Sequence, residues 1–480
     1  MVMYSSFFRE QKRHTLSELF KELNCSEEVA INILHKLIRL GIIQVVKATL
    51  SQKNMSELTE SDVEVVDIEA DNNEYFYLFT FVGVIILDGH VIKCYPKYLI
   101  NKVQPKAELT LVLKVLEKFK SKRHFVEVFD EISEDRPSNL LAIMLFLIRD
   151  YYENGLYSNT ENIVEINGAG EILWDKTINE TFTYLSNNKP YYPELLTRKR
   201  VNNETDYFKR LHECVLTIVS NEMKSAELLE LFEFSEIDLT DEELKNFGDT
   251  EYILYHLEKE LSTQFNTRKQ LVLKALYAYL GKLGSTNETN NISVFGTNSF
   301  NLVWEDVCAV ILDNQLTRQL SNIPIPTGSL NKTYNPSDEL INIIEKPCWT
   351  ITGENADKTL IPDLITINDT QFIIFDAKYY TPILEPGKKP KHQPGIESVT
   401  KQYLYQLAYQ PFIDAHKFTD VKNCFLMPTE KEEVQNKGTV VMKMFRDLNL
   451  TDIEVRYIPA TTAYRHYLSG TTMDINELKL

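Results

Sequence analysis

Cysteine is scarce and scattered: six residues in 480 (Cys25, Cys94, Cys214, Cys308, Cys348, Cys424), with no Cys-x-x-Cys pair. That spacing excludes a zinc ribbon and offers no disulfide framework, so a reducing, cytoplasmic setting is expected. Long apolar runs are also missing. Stretches such as Leu140–Ile148 and Val82–Leu87 fall far short of the roughly 20 residues a bilayer span needs. The first residues carry Arg9, Glu10, Lys12 and Arg13 without an apolar stretch, so no secretory leader and no membrane partner are expected. No G-x-x-x-x-G-K-[ST], G-x-S-x-G or H-E-x-x-H occurs. The segment Gly353-Glu-Asn-Ala-Asp-Lys358-Thr359 has the outline of a phosphate loop but lacks the glycine before the lysine, which excludes nucleotide binding there. Basic charge is in deficit, with 51 Lys and Arg against 69 Asp and Glu. A nucleic-acid partner must therefore be met at a local face. Lys93–Arg123 offers one, with nine basic residues against two acidic, unless it is only a solvated helix face.

The remainder is the composition of a globular protein, 43% apolar with 25 Tyr and 24 Phe, and too long for a single core. Residues 1–46 read as a helix-turn-helix or winged-helix-like unit that contacts either DNA or protein. Thr15-Leu-Ser-Glu18 is a capping box, Asn24-Cys25-Ser26 the turn, and Gly41 the stop of the second helix. Residues 47–73 are an acidic linker or wing. Residues 74–103 form a small β-barrel or sandwich around an Asp88-Gly89 hairpin turn. Residues 104–285 are mainly helical, interrupted by a β-hairpin at Ile163–Ile166 and Glu171–Trp174. After the polar break Ser285–Asn291, residues 291–480 follow an α/β pattern with a mixed central sheet. The fold class expected is thus multidomain α+β.

Chemistry concentrates in Ile361-Pro-Asp-Leu-Ile-Thr-Ile-Asn-Asp-Thr-Gln-Phe-Ile-Ile-Phe-Asp-Ala-Lys-Tyr-Tyr380. Two apolar, β-branched runs, Thr359–Ile367 and Gln371–Ala377, flank a tight turn at Asn368-Asp369-Thr370. Antiparallel pairing then sets Asp363 beside Asp376, and strand alternation points Lys378 to the same face as Asp376. Two carboxylates are the hard oxygen ligands that Mg²⁺ (or Mn²⁺ in vitro) requires, and the Ala377 carbonyl adds a third oxygen. A lysine beside them orients water, helps generate hydroxide, or offsets charge on a pentacovalent phosphate. The plainer alternative is a surface ion pair between Asp376 and Lys378 at a strand end. Glu305, on a helix Phe300–Leu312 that buries Trp304, is either a further metal ligand or a solvent-facing residue. Gln402 and Gln406 share one face of the helix Val399–Ile413; they either support the site or satisfy a helix–sheet contact. His392 sits in a Lys/Pro/Gly loop and is read as a mobile, DNA-proximal residue rather than a ligand.

Pro362-Asp363 with Asp376-Ala377-Lys378 matches the PD-(D/E)xK nuclease motif, and Glu305 matches that superfamily's helical acid. The stretches Phe295-Gly-Thr-Asn-Ser-Phe300, Val303-Trp-Glu305, Asp376-Ala-Lys-Tyr379 and Val399-Thr-Lys-Gln-Tyr-Leu-Tyr-Gln-Leu-Ala-Tyr409 resemble the LlaJI family of restriction endonucleases and, more loosely, McrC-like nuclease subunits. Phe81-Val-Gly-Val84, Cys94-Tyr-Pro-Lys97 and Gly170-Glu-Ile-Leu-Trp174 extend the resemblance over most of the chain. It implies a metal-dependent endonuclease acting on double-stranded DNA in a restriction or anti-phage system, licensed by a separate McrB-like AAA+ NTPase. In such proteins the N-terminal β-rich region engages the motor, which draws attention to Phe76–Lys97. It also implies catalytic roles for Asp363, Asp376, Lys378 and Glu305, with Gln402 or Gln406 holding the site or touching DNA. The competing reading is a non-catalytic DNA-binding or adaptor protein on a nuclease-like scaffold, which the intact Asp363, Asp376 and Lys378 oppose.

Overall fold

The computed structural model describes residues 4–47, 75–87, 89–123, 140–158, 160–187, 189–202, 206–283, 292–368 and 370–480. The acidic linker, the polar break at 285–291 and the turn residues Asp88 and Asp369 lie almost wholly outside them. The chain divides into two compact units: Phe129–Ser293, and Val2–Val128 together with Val294–Leu480. The break near 291 expected from composition falls at this division. The helix Lys106–Arg123, by contrast, belongs with the terminal segments rather than with the helical middle. It packs on the helices Phe300–Ile311 and Ala460–Ser469.

Within the unit Phe129–Ser293, the helices Leu140–Asn154, Tyr207–Ser225, Thr250–Thr263 and Thr267–Leu283 bury apolar faces, and Asp206 and Asp249 cap two of them. The expected hairpin at 163–174 does not form. Thr160–Ile166 and Glu171–Ile172 each pair instead with Leu196–Asn202, which lies between them, and Trp174 begins a short helix. Leu196–Asn202 matches the length of Thr160–Ile166 residue for residue, so it satisfies more backbone groups than a two-residue partner.

The second unit begins with the strand Tyr4–Arg9. The helices Leu16–Leu23 and Glu27–Arg39 follow as the pattern predicted, with Thr15 and Glu18 forming the reciprocal cap and Asn24 taking the left-handed turn. The β-rich stretch does not close on itself as a barrel. Tyr75–Phe79 joins a three-stranded sheet with Arg13–His14 and Ile43–Lys47. Val82–Leu87 and His90–Tyr95 form the expected antiparallel pair, but in a four-stranded sheet flanked by Tyr4–Arg9 and Ile292–Thr297. Two glycines permit that last junction. A Cβ on Gly83 (φ +145°) would stand 2.1 Å from the Phe295 carbonyl oxygen, and one on Gly296 would stand 2.3 Å from that of Val82. Two of the quoted resemblance stretches, Phe81–Val84 and Phe295–Phe300, therefore meet in space.

The C-terminal part holds a mixed five-stranded sheet, as expected. Its order is Leu364–Ile367, Gln371–Ala377, Asp420–Thr429, Ile453–Pro459, Gln435–Val440; the outer pairs are antiparallel and the inner pairs parallel. Thr439–Phe445, whose apolar residues read as a strand, is the end of Gln435–Val440 followed by a short helix, Lys443–Arg446, whose Phe445 turns into the core. The long helix Ile396–His416 packs on the central strands, with Tyr409, Phe412 and Ile413 against Ile365, Phe372 and Ile374. Phe300–Ile311 also rests on Gln371–Ala377. It is held there by the buried Trp304 indole, which donates to the Leu426 carbonyl at 3.2 Å.

Candidate active site

Strand register brings the acids together. Leu364 lies opposite Phe375, so the next positions outward, Asp363 and Asp376, face one another across the pair. Asp363 precedes its strand rather than lying inside it, because the strand begins at Leu364 and not at Thr359. Asn314, just after the cleft helix, fixes this corner: its side chain accepts the Ile365 N–H at 3.1 Å and reaches the Asp363 carbonyl at 3.5 Å. The Asp363 carboxylate accepts the Ala377 N–H at 2.8 Å and also hydrogen-bonds the Asp376 carboxyl. Lys378 Nζ is 2.8 Å from Asp376 Oδ2. The Lys378 backbone N–H donates to the same Leu426 carbonyl that receives Trp304, which ties the helix carrying Glu305 to the strand end carrying the lysine.

Asp376 is not the exposed strand-end residue that a surface ion pair requires. Its side chain is 4% exposed and that of Lys378 22%, because Asp376 continues the buried run Phe372–Phe375. Burial, then the neighbouring Asp376 and Glu305 charges, push the Asp363 carboxyl from 3.8 up to about 8, against the opposing charge of Lys378. Burial alone would lower the Lys378 pKa, but Asp376 and Asp363 hold it above the ordinary lysine value. The lysine is therefore a fixed cation, suited to orienting water or offsetting charge rather than to accepting a proton.

Glu305 lies half-buried on Phe300–Ile311, with Asn301 Nδ2 at 3.5 Å, and its charge acts on Asp363. Glu305, Ala377 and Lys378 line a cleft of about 440 Å³ whose rim includes His392. Gln402 and Gln406 are drawn into packing instead. Gln402 Nε2 donates to the Ile374 carbonyl at 2.8 Å, and Gln406 Oε1 accepts from Asn423 Nδ2 (2.6 Å) and the Thr451 N–H (3.0 Å). Both are buried and neither lines the cleft, so their contribution is to seat the helix on the acid-bearing sheet. Sequence reading missed Glu10, Gln11 and Lys97, which line the same cleft from the first hundred residues. It also missed Tyr379, whose hydroxyl bonds Glu10, and Tyr405, whose hydroxyl is pushed up by burial and by Asp376 and Asp363. Both tyrosines stood inside quoted stretches, but a tyrosine among apolar residues reads as core.

The donors suit a hard divalent cation. Two adjoining carboxyls that burden each other, with Lys378 against one of them and a strand-end carbonyl at Ala377, form an oxygen set of the kind Mg²⁺ takes while keeping several waters. Among the described residues no three His, Cys, Asp or Glu side chains are grouped so as to enclose an ion. Two carboxylates completed by water need no such group.

The description "LlaJI restriction endonuclease" belongs to a family model that matches residues 81–335 and 330–459. The chain is 27% identical over 421 residues to the type II restriction enzyme BsuMI component YdjA of Bacillus subtilis (strain 168), a match covering 84% of this chain and 83% of that protein. Among solved structures, a half-complex from the tetradecameric assembly of Thermococcus gammatolerans McrB AAA+ hexamers with bound McrC aligns with a TM-score of 0.37 and 10% identity. That alignment covers 97% of this chain and 99% of the other. The McrBC complex of the same organism aligns with a TM-score of 0.26 and 11% identity, over 63% and 84% of the two chains. These two likenesses are too slight to add to the fold described above.

Proposed function

The chain belongs to the LlaJI restriction endonuclease family, and from that premise we propose that it is the nuclease subunit of a restriction system, hydrolysing double-stranded DNA with Mg²⁺ at the Asp363–Asp376–Lys378 corner. The observation that carries this reading is the pairing of a buried carboxyl, Asp376, with the half-buried Asp363 hydrogen-bonded to it, and a lysine 2.8 Å from Asp376 at a solvent-open cleft. Asp363, Asp376 and the Ala377 carbonyl would hold the cation, with Glu305 contributing from the helix. Bound there, Mg²⁺ supplies the charge that polarises the scissile phosphate and acidifies water. Lys378 orients the attacking water and balances the negative charge that builds on the phosphate oxygens. Asp376 fixes the lysine's position, and the Ala377 N–H fixes Asp363. Attack forms the new P–O bond as the bond to the leaving oxygen breaks.

The curated relative is described as a component of its enzyme, and this chain has no phosphate loop. Residues 291–480 carry 18 basic against 23 acidic residues, which makes unaided DNA attraction weak. We therefore assign licensing to a separate McrB-like AAA+ NTPase that docks on the β-rich segment Phe76–Lys97. The test is duplex cleavage in Mg²⁺ at moderate salt, with and without an McrB-like AAA+ NTPase from the same genome and its nucleotide. Cleavage that needs the partner and disappears in Asp376→Asn is expected. Vigorous cutting by the chain alone would refute licensing, and cutting by Asp376→Asn would refute the site.

A further inference from the structure

The N-terminal sheet supplies part of the cleft wall. Glu10 and Gln11 follow the strand Tyr4–Arg9, and Lys97 follows His90–Tyr95. Those strands pair in parallel with Arg9 opposite Tyr95, so both chain ends emerge at one place. That place is the cleft holding Glu305 and Lys378. Glu10 is 5% exposed, and its carboxylate accepts the Tyr379 hydroxyl and, at 3.2 Å, the Lys97 backbone N–H. The Tyr379 hydroxyl also accepts that N–H at 3.2 Å. The Lys97 ammonium donates to the Gln11 amide oxygen at 3.1 Å. It stands 4.5 Å from the centre of the Tyr379 ring and 5.7 Å from that of Tyr380. A lysine is thus anchored from below against the residue next to Lys378.

We infer that Lys97 is a phosphate-binding residue of this cleft, positioning the DNA backbone beside Asp363, Asp376 and Lys378. The inference rests on the nuclease reading above and adds to it a substrate contact from outside the C-terminal domain. Charge is the first argument. The cleft is lined by Glu10 and Glu305, with Asp376 against the lining Lys378, and a phosphate diester entering it needs cations. Among the described lining residues the lysines and arginines are Lys378, held by Asp376, and Lys97. Donor capacity is the second. An ammonium has three N–H groups; Gln11 takes one and the tyrosine rings steady the head, while Glu10, which accepts the Lys97 backbone N–H, acts on the ammonium through its charge. Rigidity is the third. The Lys97 backbone is fixed by Glu10 and Tyr379 and its ammonium by Gln11 and the Tyr379 ring, so little side-chain freedom is lost on meeting a phosphate.

The experiment measures binding of the full chain to a 30-base-pair duplex across a salt series, with Ca²⁺ replacing Mg²⁺ so that the duplex stays uncut. Each phosphate contact contributes roughly 0.9 to the slope of log K against log salt. Lys97→Gln should lower that slope by about one and weaken binding about tenfold at moderate salt, with an unchanged melting temperature. Lys97→Arg should retain the slope, because the charge remains. A Lys97→Gln protein with the wild-type slope and affinity overturns the inference. So does a Lys97→Arg protein that loses as much as Lys97→Gln, since that marks a packing role. Cleavage by the wild type that is lost in Asp376→Asn upholds the nuclease reading whichever way Lys97 behaves.

Discussion

Replacing Asp363 by Asn separates the electrostatics of the site from its chemistry. Asn keeps an oxygen for the Ala377 N–H and offers an amide N–H toward Asp376, so the hydrogen bonds survive while the charge is removed. In metal-free protein Asp363 titrates near 8 when folded and near 3.8 when unfolded. Between those values the folded state retains a proton that the unfolded chain has released, so the wild type loses stability as pH rises. His14 and His212, both held near 4 by burial against an ordinary 6.5, act in the opposite direction below 6.5. The clean window is therefore from 6.5 to 8. One proton's difference across it amounts to about 2 kcal/mol. Water at the open side of the cleft reduces that to about 1 kcal/mol. Thermal melts in a chelator should show the margin by which the Asn variant exceeds wild type widening by roughly 2–4 °C between pH 6.5 and pH 8. Added Mg²⁺ should raise the wild type and leave Asp363→Asn unmoved, and the variant should not cleave DNA. An Asn variant whose margin over wild type does not widen across that window, or that gains as much from Mg²⁺, would refute the reasoning.

Three further outcomes are expected. Asp376→Asn and Lys378→Met should each abolish duplex cleavage; Lys378→Met should also cost about 2–4 kcal/mol in denaturant titrations, because it leaves a 4% exposed carboxylate without its cation. Glu305→Ala should reduce cleavage less than either, since its ligand role is shared, and a complete loss would raise Glu305 to the rank of the two aspartates. Trp304→Phe should cost about 1–3 kcal/mol through the lost indole donor and the smaller ring, and should slow cleavage by loosening the Leu426 carbonyl that also receives Lys378; unchanged stability would contradict that coupling.

The acid pair was legible because it is local: two apolar runs and a short turn fix the register, and the register alone places Asp363 opposite Asp376. The capping box at Thr15 was legible for the same reason. What sequence reading left open or misplaced depends on partners far along the chain. Gln402 and Gln406 carry the same amide whether it meets a phosphate or a carbonyl, and only the seating of Ile396–His416 on the sheet decides for Ile374, Asn423 and Thr451. Asp376 reads as exposed because it lies near a strand end, yet it continues the buried run Phe372–Phe375. The hairpin expected at 163–174 failed because Leu196–Asn202, some thirty residues later, offered a longer partner.

The widest gap was between Glu10 and Tyr379, separated by 369 positions and joined by a hydrogen bond. Nothing in either local pattern announces the pairing. Its precondition is visible, however, in Gly83 and Gly296, whose lack of a side chain lets Val82–Leu87 lie against Ile292–Thr297. That junction docks the N-terminal sheet beside the start of the helix bearing Glu305, and the same sheet ends in Lys97. The segment proposed to meet the NTPase, Phe76–Lys97, thus has one end at the cleft. A partner that shifts this sheet by an ångström displaces a phosphate-binding cation and the tether on Tyr379 together, and positional errors of that size cost about a hundredfold in rate. On the proposed reading, a motor docked on that segment would act on the cleft through Lys97 and Tyr379, with no change required within the acid pair itself.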